Sequence, residues 1–191
     1  MSESRFSYRA MSDIDLVRKA NSGDDHALDV LVERHAPRVQ RLASHLMVDL
    51  EDARDAAQES LVKLCTRLRQ FRGDAQFGTW LHRLVVNTCR DLAARQRIRR
   101  TEPLGPVEDR ASDDSDPSRL AGLGEVRREL AEALGRLSAD QRAVVVLRDA
   151  AGLSYEDIAR VVRMPVGTVK SYVHRGRGRL RFLLEEEHVA T

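Results

Sequence analysis

Up to residue 101 the apolar positions follow a helical period almost throughout. The stretch "DIDLVRKANSGDDHALDVLVERHAPRVQRLASHL" predicts a helix broken at Asn21-Ser22-Gly23 and a second helix with Leu28, Leu31 and Val32 on one face. Pro37 is expected to bend or restart that second helix, because its ring clashes with the preceding turn. "LEDARDAAQESLVKLCTRL" predicts a strong helix whose buried stripe is Ala53, Ala56, Ala57, Leu61, Leu64, Cys65 and Leu68, with Gly73 beyond it as a stop. "FGTWLHRLVVNTCRDLAARQRIRR" predicts a long helix capped by Thr79, with Trp80, Leu81, Leu84, Val85, Thr88 and Leu92 inside.

The period then lapses. Residues Thr101 to Gly124 hold three of the five prolines, are rich in Gly, Ser and Asp, and follow neither a helical nor a strand pattern, so they read as a linker. Shorter helices follow it. Val126, Leu130, Leu134 and Leu137 space the first. Ser138 and Gln141 stand three apart, the spacing of a capping box, and Gly152 closes the next helix. Ser154 and Asp157 repeat the device ahead of Ile158, Ala159 and Val162. A short turn at Arg163-Met164-Pro165 leads to the last helix. The predicted architecture is all-α: a tail over residues 1–12, a helical domain over 13–100, a flexible acidic linker over 101–124 and a second helical domain over 125–187.

Composition supports small helical units. Hydrophobic residues are 42% of the chain but aromatics only 4%, which suits Leu, Val and Ala packing better than a β-sandwich. Cys65 and Cys89 both fall in helical apolar patterns and are expected as reduced core cysteines. No apolar run long enough to span a bilayer occurs, and "MSESRFSYRAM" is not a signal peptide, so no membrane insertion and a cytoplasmic protein are expected. Met11 is a second possible translation start. No phosphate-binding glycine loop, metal spacing or nucleophile motif appears; no enzyme activity, catalytic residue, metal or cofactor is expected.

The net charge of +2 hides a strong pattern. Between Arg83 and Arg100 six arginines face one aspartate, and between Val166 and Phe182 five bases face no acid, so each stretch carries +5. The linker between them has six acids against two arginines, a net of −4. Two basic patches thus flank an acidic strap.

The last two helices form a helix-turn-helix, whose second member fits the DNA major groove. Val166, Val169, Val173 and Leu180 make its inner side and leave Thr168, Lys170, Ser171, His174 and Arg175 outside, where Lys and Arg meet phosphates or guanine edges. Gly176 and Gly178 are unusual there, since each costs about 1 kcal/mol relative to Ala in a helix. Either they permit close backbone approach or the helix frays.

Three stretches, in this order, resemble the extracytoplasmic-function (ECF) sigma factors, the smallest class of the sigma-70 family. "DARDAAQESLVKL" is similar to the family's polymerase-binding segment. "FRGDAQFGTWLHRLVVNTCRDLAAR" is similar to its specificity loop and promoter-reading helix. "LSADQRAVVVLRDAAGLSYEDIARVVRMPVGTVKSYVHRGRGRLR" is similar to its C-terminal helix-turn-helix. The resemblance implies a sigma domain 2-like unit and a sigma domain 4-like unit. Asp55, Gln58, Glu59 and Leu61 match the residues that dock on the β and β′ subunits of core RNA polymerase. Phe71, Arg72, Phe77, Thr79, Trp80, Arg83, Asn87 and Arg90 fall on the surface that reads and melts the minus-ten element. Thr168, Lys170, Ser171, His174, Arg175 and Arg177 fall on the surface that reads the minus-thirty-five element. Arg95, Arg97, Arg99 and Arg100 suit phosphate contacts. The strap, with Asp113, Asp114 and Asp116, is implied to run through the polymerase. Promoter DNA and an anti-sigma factor are the other implied partners. Two departures stand out: Leu61 where the family usually has a bulky aromatic, and Gly78 where a larger residue is frequent. A dimeric helix-turn-helix regulator is the alternative, and it leaves the first two stretches unexplained.

Overall fold

The structure is a computed structural model that describes residues 8–101 and 121–189. Among these residues every regular element is helical.

The first unit is built on α1 (Asp13–Asn21), α2 (Asp25–Leu46), α3 (Leu50–Arg67), which runs into a 3-10 turn at Leu68–Gln70, and α4 (Phe77–Thr101). Side chains of Ser12, Asp24 and Asp49 accept the free N–H groups at the starts of α1, α2 and α3. Gly23, with φ +98°, makes the reversal at the expected break. Pro37 does not restart α2, which continues through it. Pro37 is exposed, and Val30 and Leu31 before it and Val39 and Leu42 after it are all buried. Their burial outweighs the roughly 3 kcal/mol that an interior proline costs.

The stripe of α3 is narrower than expected. Ala53, Ala56, Ala57, Ser60 and Leu64 are buried, Leu61 only partly, and Cys65 is exposed. One residue beyond Leu64 lies about 100° further round the helix, past the edge of the stripe. Cys89 is buried as expected, and burial pushes its thiol up to about 12. Thr79 does not cap α4. The helix begins at Phe77, and the N–H of Thr79 donates to the Gln76 carbonyl at 3.0 Å, inside the first turn. The buried Phe77 ring fixes that start, 5.0 Å from His35 and 5.4 Å from Phe71. Residues 8–12 pack with the first unit rather than forming a loose tail. The Tyr8 hydroxyl donates to Asp24 at 2.7 Å and Arg34 donates to the Arg9 carbonyl at 3.0 Å, which ties residues 8–12 to α2.

The second unit comprises α5 (Ala121–Gly135), α6 (Ala139–Asp149), α7 (Tyr155–Val162) and α8 (Val166–Val189). Helix α5 starts inside the predicted linker. Its Val126 and Leu130 are exposed, and the buried Ala133 and Leu134, with Leu137 just beyond the helix, anchor it. The Ser138–Gln141 capping box forms with both of its hydrogen bonds. Helix α8 runs unbroken through both glycines. A Cβ on Gly176 would stand 2.6 Å from Val145 Cγ2, whereas Gly178 has open space around it. Close approach is therefore the reason for the first glycine, and the helix does not fray.

The two units touch along α2–α6 and α4–α7. Arg142 of α6 holds this junction. Its guanidinium donates to the carbonyls of Leu134 (2.8 Å), Gly135 (2.9 Å) and Leu137 (3.3 Å) in its own unit and of Leu46 (2.9 Å) in the other. Those carbonyls lie at helix C-termini, where backbone acceptors lack intrahelical donors and carry partial negative charge. An Arg90–Asp140 ion pair of 2.7 Å joins the units beside it.

Candidate nucleic-acid and polymerase interfaces

Three surfaces hold the residues singled out in the sequence. On α3, Asp55 and Gln58 are exposed, and Leu61 is half-buried. Glu59 is spent internally: its carboxylate pairs with Lys63 at 2.8 Å and with Arg95 at 3.3 Å. The Lys63 hydrogen bond, with Arg95 behind it, holds the Glu59 carboxyl below its usual range. Arg95 accordingly braces α4 on α3 rather than standing free for a phosphate. The side chains of Arg97, Arg99 and Arg100, and the strap with its aspartates, lie outside the described residues.

The second surface is a cleft of about 570 Å³ between the units. Phe71, Arg72, Thr79, Trp80, Arg83 and Asn87 all line it. The loop before α4 brings Phe71 and Arg72 round beside the first turns of the helix, and Gly73, with φ +81°, permits the turn. Phe71 and Trp80 are half-buried with ring centroids 5.7 Å apart, so each keeps one face toward the cleft and one in the core. Phe77 does not join them at the surface. At 3% exposure it is a core residue, and its role is to position the other two rings. Arg90 also departs from the group: it turns toward the groove on the other side of α4, to Asp140.

Helix α8 carries the third surface. Of its expected inner side, Val169 and Val173 are buried against α6 and α7, and Val166 and Leu180 are partly buried. Lys170, Ser171, His174 and Arg175 are exposed and Thr168 partly so. Lys170 Nζ lies 5.6 Å from the centre of the Tyr155 ring and the Arg175 guanidinium 5.0 Å from that of Tyr172. Cation–π contact of this kind holds a long side chain without cancelling its charge. Arg177 is different: it is paired with Asp149 at the end of α6, with one N–O distance of 3.0 Å.

Sequence reasoning missed two contributors to the cleft, Arg160 of α7 and Arg163 just after it. Arg163 takes the left-handed conformation, φ 59° and ψ 49°, that ends α7 and sets the helix-turn-helix angle. Reading each unit separately gave no sign that these arginines would face Phe71 and Trp80. His82 was missed as well. It is 2% exposed, and neither ring nitrogen has a hydrogen-bond partner among the described residues. Burial, with Arg38 and His35 nearby, lowers its pKa to about 4, so it is neutral at pH 7.

A family model describing Sigma-70 region 2 matches residues 31–99, and one describing Sigma-70, region 4 matches residues 127–180. The RNA polymerase sigma-H factor of Pseudomonas aeruginosa is 36% identical over 174 residues, covering 86% of this chain and 90% of that protein. The ECF RNA polymerase sigma factor SigM of Mycobacterium tuberculosis is 38% identical over 176 residues, covering 91% and 85%. Among solved structures, CnrH in complex with the cytosolic domain of CnrY aligns with a TM-score of 0.65 at 27% identity, over 91% of this chain and 97% of that one. The sigma factor RpoE from Bartonella quintana, in complex with the anti-sigma factor NepR, aligns with a TM-score of 0.63 at 25% identity, over 81% and 94%.

Proposed function

The chain belongs to the extracytoplasmic-function sigma factors of the sigma-70 family, and from that premise we propose how its three surfaces divide the work of an alternative sigma factor. Asp55, Gln58 and Leu61 of α3 dock on the β and β′ subunits of core RNA polymerase, with Glu59 and Lys63 bracing α3 against α4. The cleft wall of Phe71, Arg72, Thr79, Trp80, Arg83 and Asn87 takes the minus-ten strand. Melting costs a few kcal/mol for each base taken out of the stack. Stacking on Phe71 or Trp80, worth about 1–3 kcal/mol per base, offsets that cost, and Arg72 and Arg83 follow the backbone. Asn87 offers both a donor and an acceptor to a base edge. Thr168, Lys170, Ser171, His174 and Arg175 of α8 read the minus-thirty-five element in the major groove. The chain acts in the cytoplasm, catalyses nothing itself and is held in check by an anti-sigma factor; the inhibitor bound to the Bartonella quintana neighbour supports that last part.

The observation that carries this reading is the pair of cationic faces on separate units. The two promoter elements lie about 25 base pairs apart, roughly 85 Å of duplex at 3.4 Å per base pair. Helices α4 and α7 pack directly against each other. The units must therefore separate before both elements are engaged, and the packed arrangement is the resting form. In vitro transcription with core polymerase, with and without the chain, tests the proposal. Start sites that appear only with the chain, and vanish with Asn87→Ala plus Arg83→Ala, are expected; unchanged start-site choice on bare polymerase overturns it.

A further inference from the structure

The cleft is rich in positive charge, and part of that charge comes from the other unit. Arg67, Arg72 and Arg83 line it from one side and Arg163 from the other, and none of the four is in an ion pair among the described residues. Arg160 joins Arg163, paired only with Asp157 of its own helix. Of the two acids in the wall, Asp91 already faces Lys63 at 3.7 Å, which leaves Asp74 alone against the excess. Clustering cations around a partly enclosed space costs free energy through their mutual repulsion, and an anion recovers that cost. The same wall offers two half-buried aromatic rings and the Asn87 amide. Arginines near flat apolar surface and a single amide form the chemistry of a nucleotide site: phosphates on guanidinium groups, a base against a ring. A volume of about 570 Å³ lies within the range of small-ligand sites.

We propose that the cleft between the two units binds a free nucleoside triphosphate, whose phosphates bridge Arg72 and Arg83 of one unit to Arg160 and Arg163 of the other. This deepens the promoter reading and rests on it, since the wall that receives the base is the minus-ten wall. The ligand touches both units only in the resting arrangement. Binding therefore stabilises that arrangement and competes with opening on polymerase by mass action.

Isothermal titration calorimetry of the full chain with ATP, GTP and inorganic tripolyphosphate, at 0.15 M salt without magnesium, tests this. A saturable one-to-one isotherm with a nucleoside triphosphate is expected, and tripolyphosphate should bind at least about tenfold more weakly for want of base stacking. Arg163→Gly should lower nucleotide affinity about tenfold, the value of one charge-assisted hydrogen bond. Because glycine relieves a left-handed residue, that variant keeps its fold, and thermal unfolding checks it. No saturable binding at millimolar nucleotide overturns the site, as does undiminished binding by Arg163→Gly. Equal binding of tripolyphosphate overturns the nucleotide assignment. Start-site choice by Arg163→Gly holoenzyme without added effector should match the parent chain. Lost start-site choice in the parent chain, with nucleotide binding intact, would instead sink the promoter reading and spare the site.

Discussion

The two cationic faces differ in what stands opposite them. On α8 the face proposed to read DNA points to solvent, with Lys170 and Arg175 steadied by tyrosine rings and, among the described residues, no acid paired with either. On α4 the face proposed to take the strand lines a cleft whose far wall is the other unit. The same chemistry is presented open in one place and covered in the other. Duplex DNA is accessible to a face in solvent. On the reading proposed above, a strand that must first leave its helix is admitted only when the units part, so duplex contact would precede melting.

The sharpest way to break this comparison is Arg142→Ala. Removal leaves four carbonyls at helix ends without the guanidinium, and a loss on the order of 3 kcal/mol is expected, since each orphaned buried acceptor costs about 1–3 kcal/mol and some regain water. Calorimetric unfolding should then show two transitions in place of one. A single transition with an unchanged midpoint would show that the covered face is held by something else.

A second test uses His82, which lies on α4 and feels Asp157 of α7 across the junction. Its pKa is lowered on folding from 6.5 to about 4. The unfolded chain therefore takes up the proton first. Stability is fully present above about pH 6.5 and falls as the pH drops toward 4, by up to about 3 kcal/mol from this group. Chemical denaturation at pH 7.5 and pH 5 measures the loss. His82→Leu should flatten that dependence and raise stability at pH 5. A slope unchanged by the substitution would assign the effect to other groups.

Smaller effects separate the two glycines of α8. Gly176→Ala drives a methyl group into Val145 and should cost about 1–3 kcal/mol, whereas Gly178→Ala, in open space, should gain somewhat under 1 kcal/mol. Thermal midpoints of the two variants should move in opposite directions. Smallest is Lys170→Ala. Fluorescence anisotropy with a minus-thirty-five duplex should show weaker binding and a salt slope reduced by about one.

Much of this was legible in the chain, and its limits have physical causes. The caps at Ser138 and Ser154 form within single helices, so three-residue spacing was enough to find them. The valine side of α8 follows from period alone. Pro37 does not break its helix because its penalty is local while the burial that outweighs it is tertiary. Cys65 was misread because it stands one position past the edge of a stripe that its neighbours define. Thr79 was misread because the buried Phe77 ring, rather than a hydroxyl, fixes where α4 starts. Arg177 looked like the other bases of its helix until Asp149, far back in the chain, was seen to hold it. The cleft was invisible for a deeper reason. Arg160 and Arg163 share no pattern with Phe71 and Trp80, and only the packing of one unit on the other brings them together.

The Arg142 tie has one more implication. A guanidinium stays protonated at any cellular acidity, and carbonyls at helix ends cannot be oxidised, phosphorylated or stripped of a metal. Nothing small can throw this bolt from inside. With the packed arrangement as the proposed resting form, whatever opens it has to offer a broader surface to one half than the other half provides.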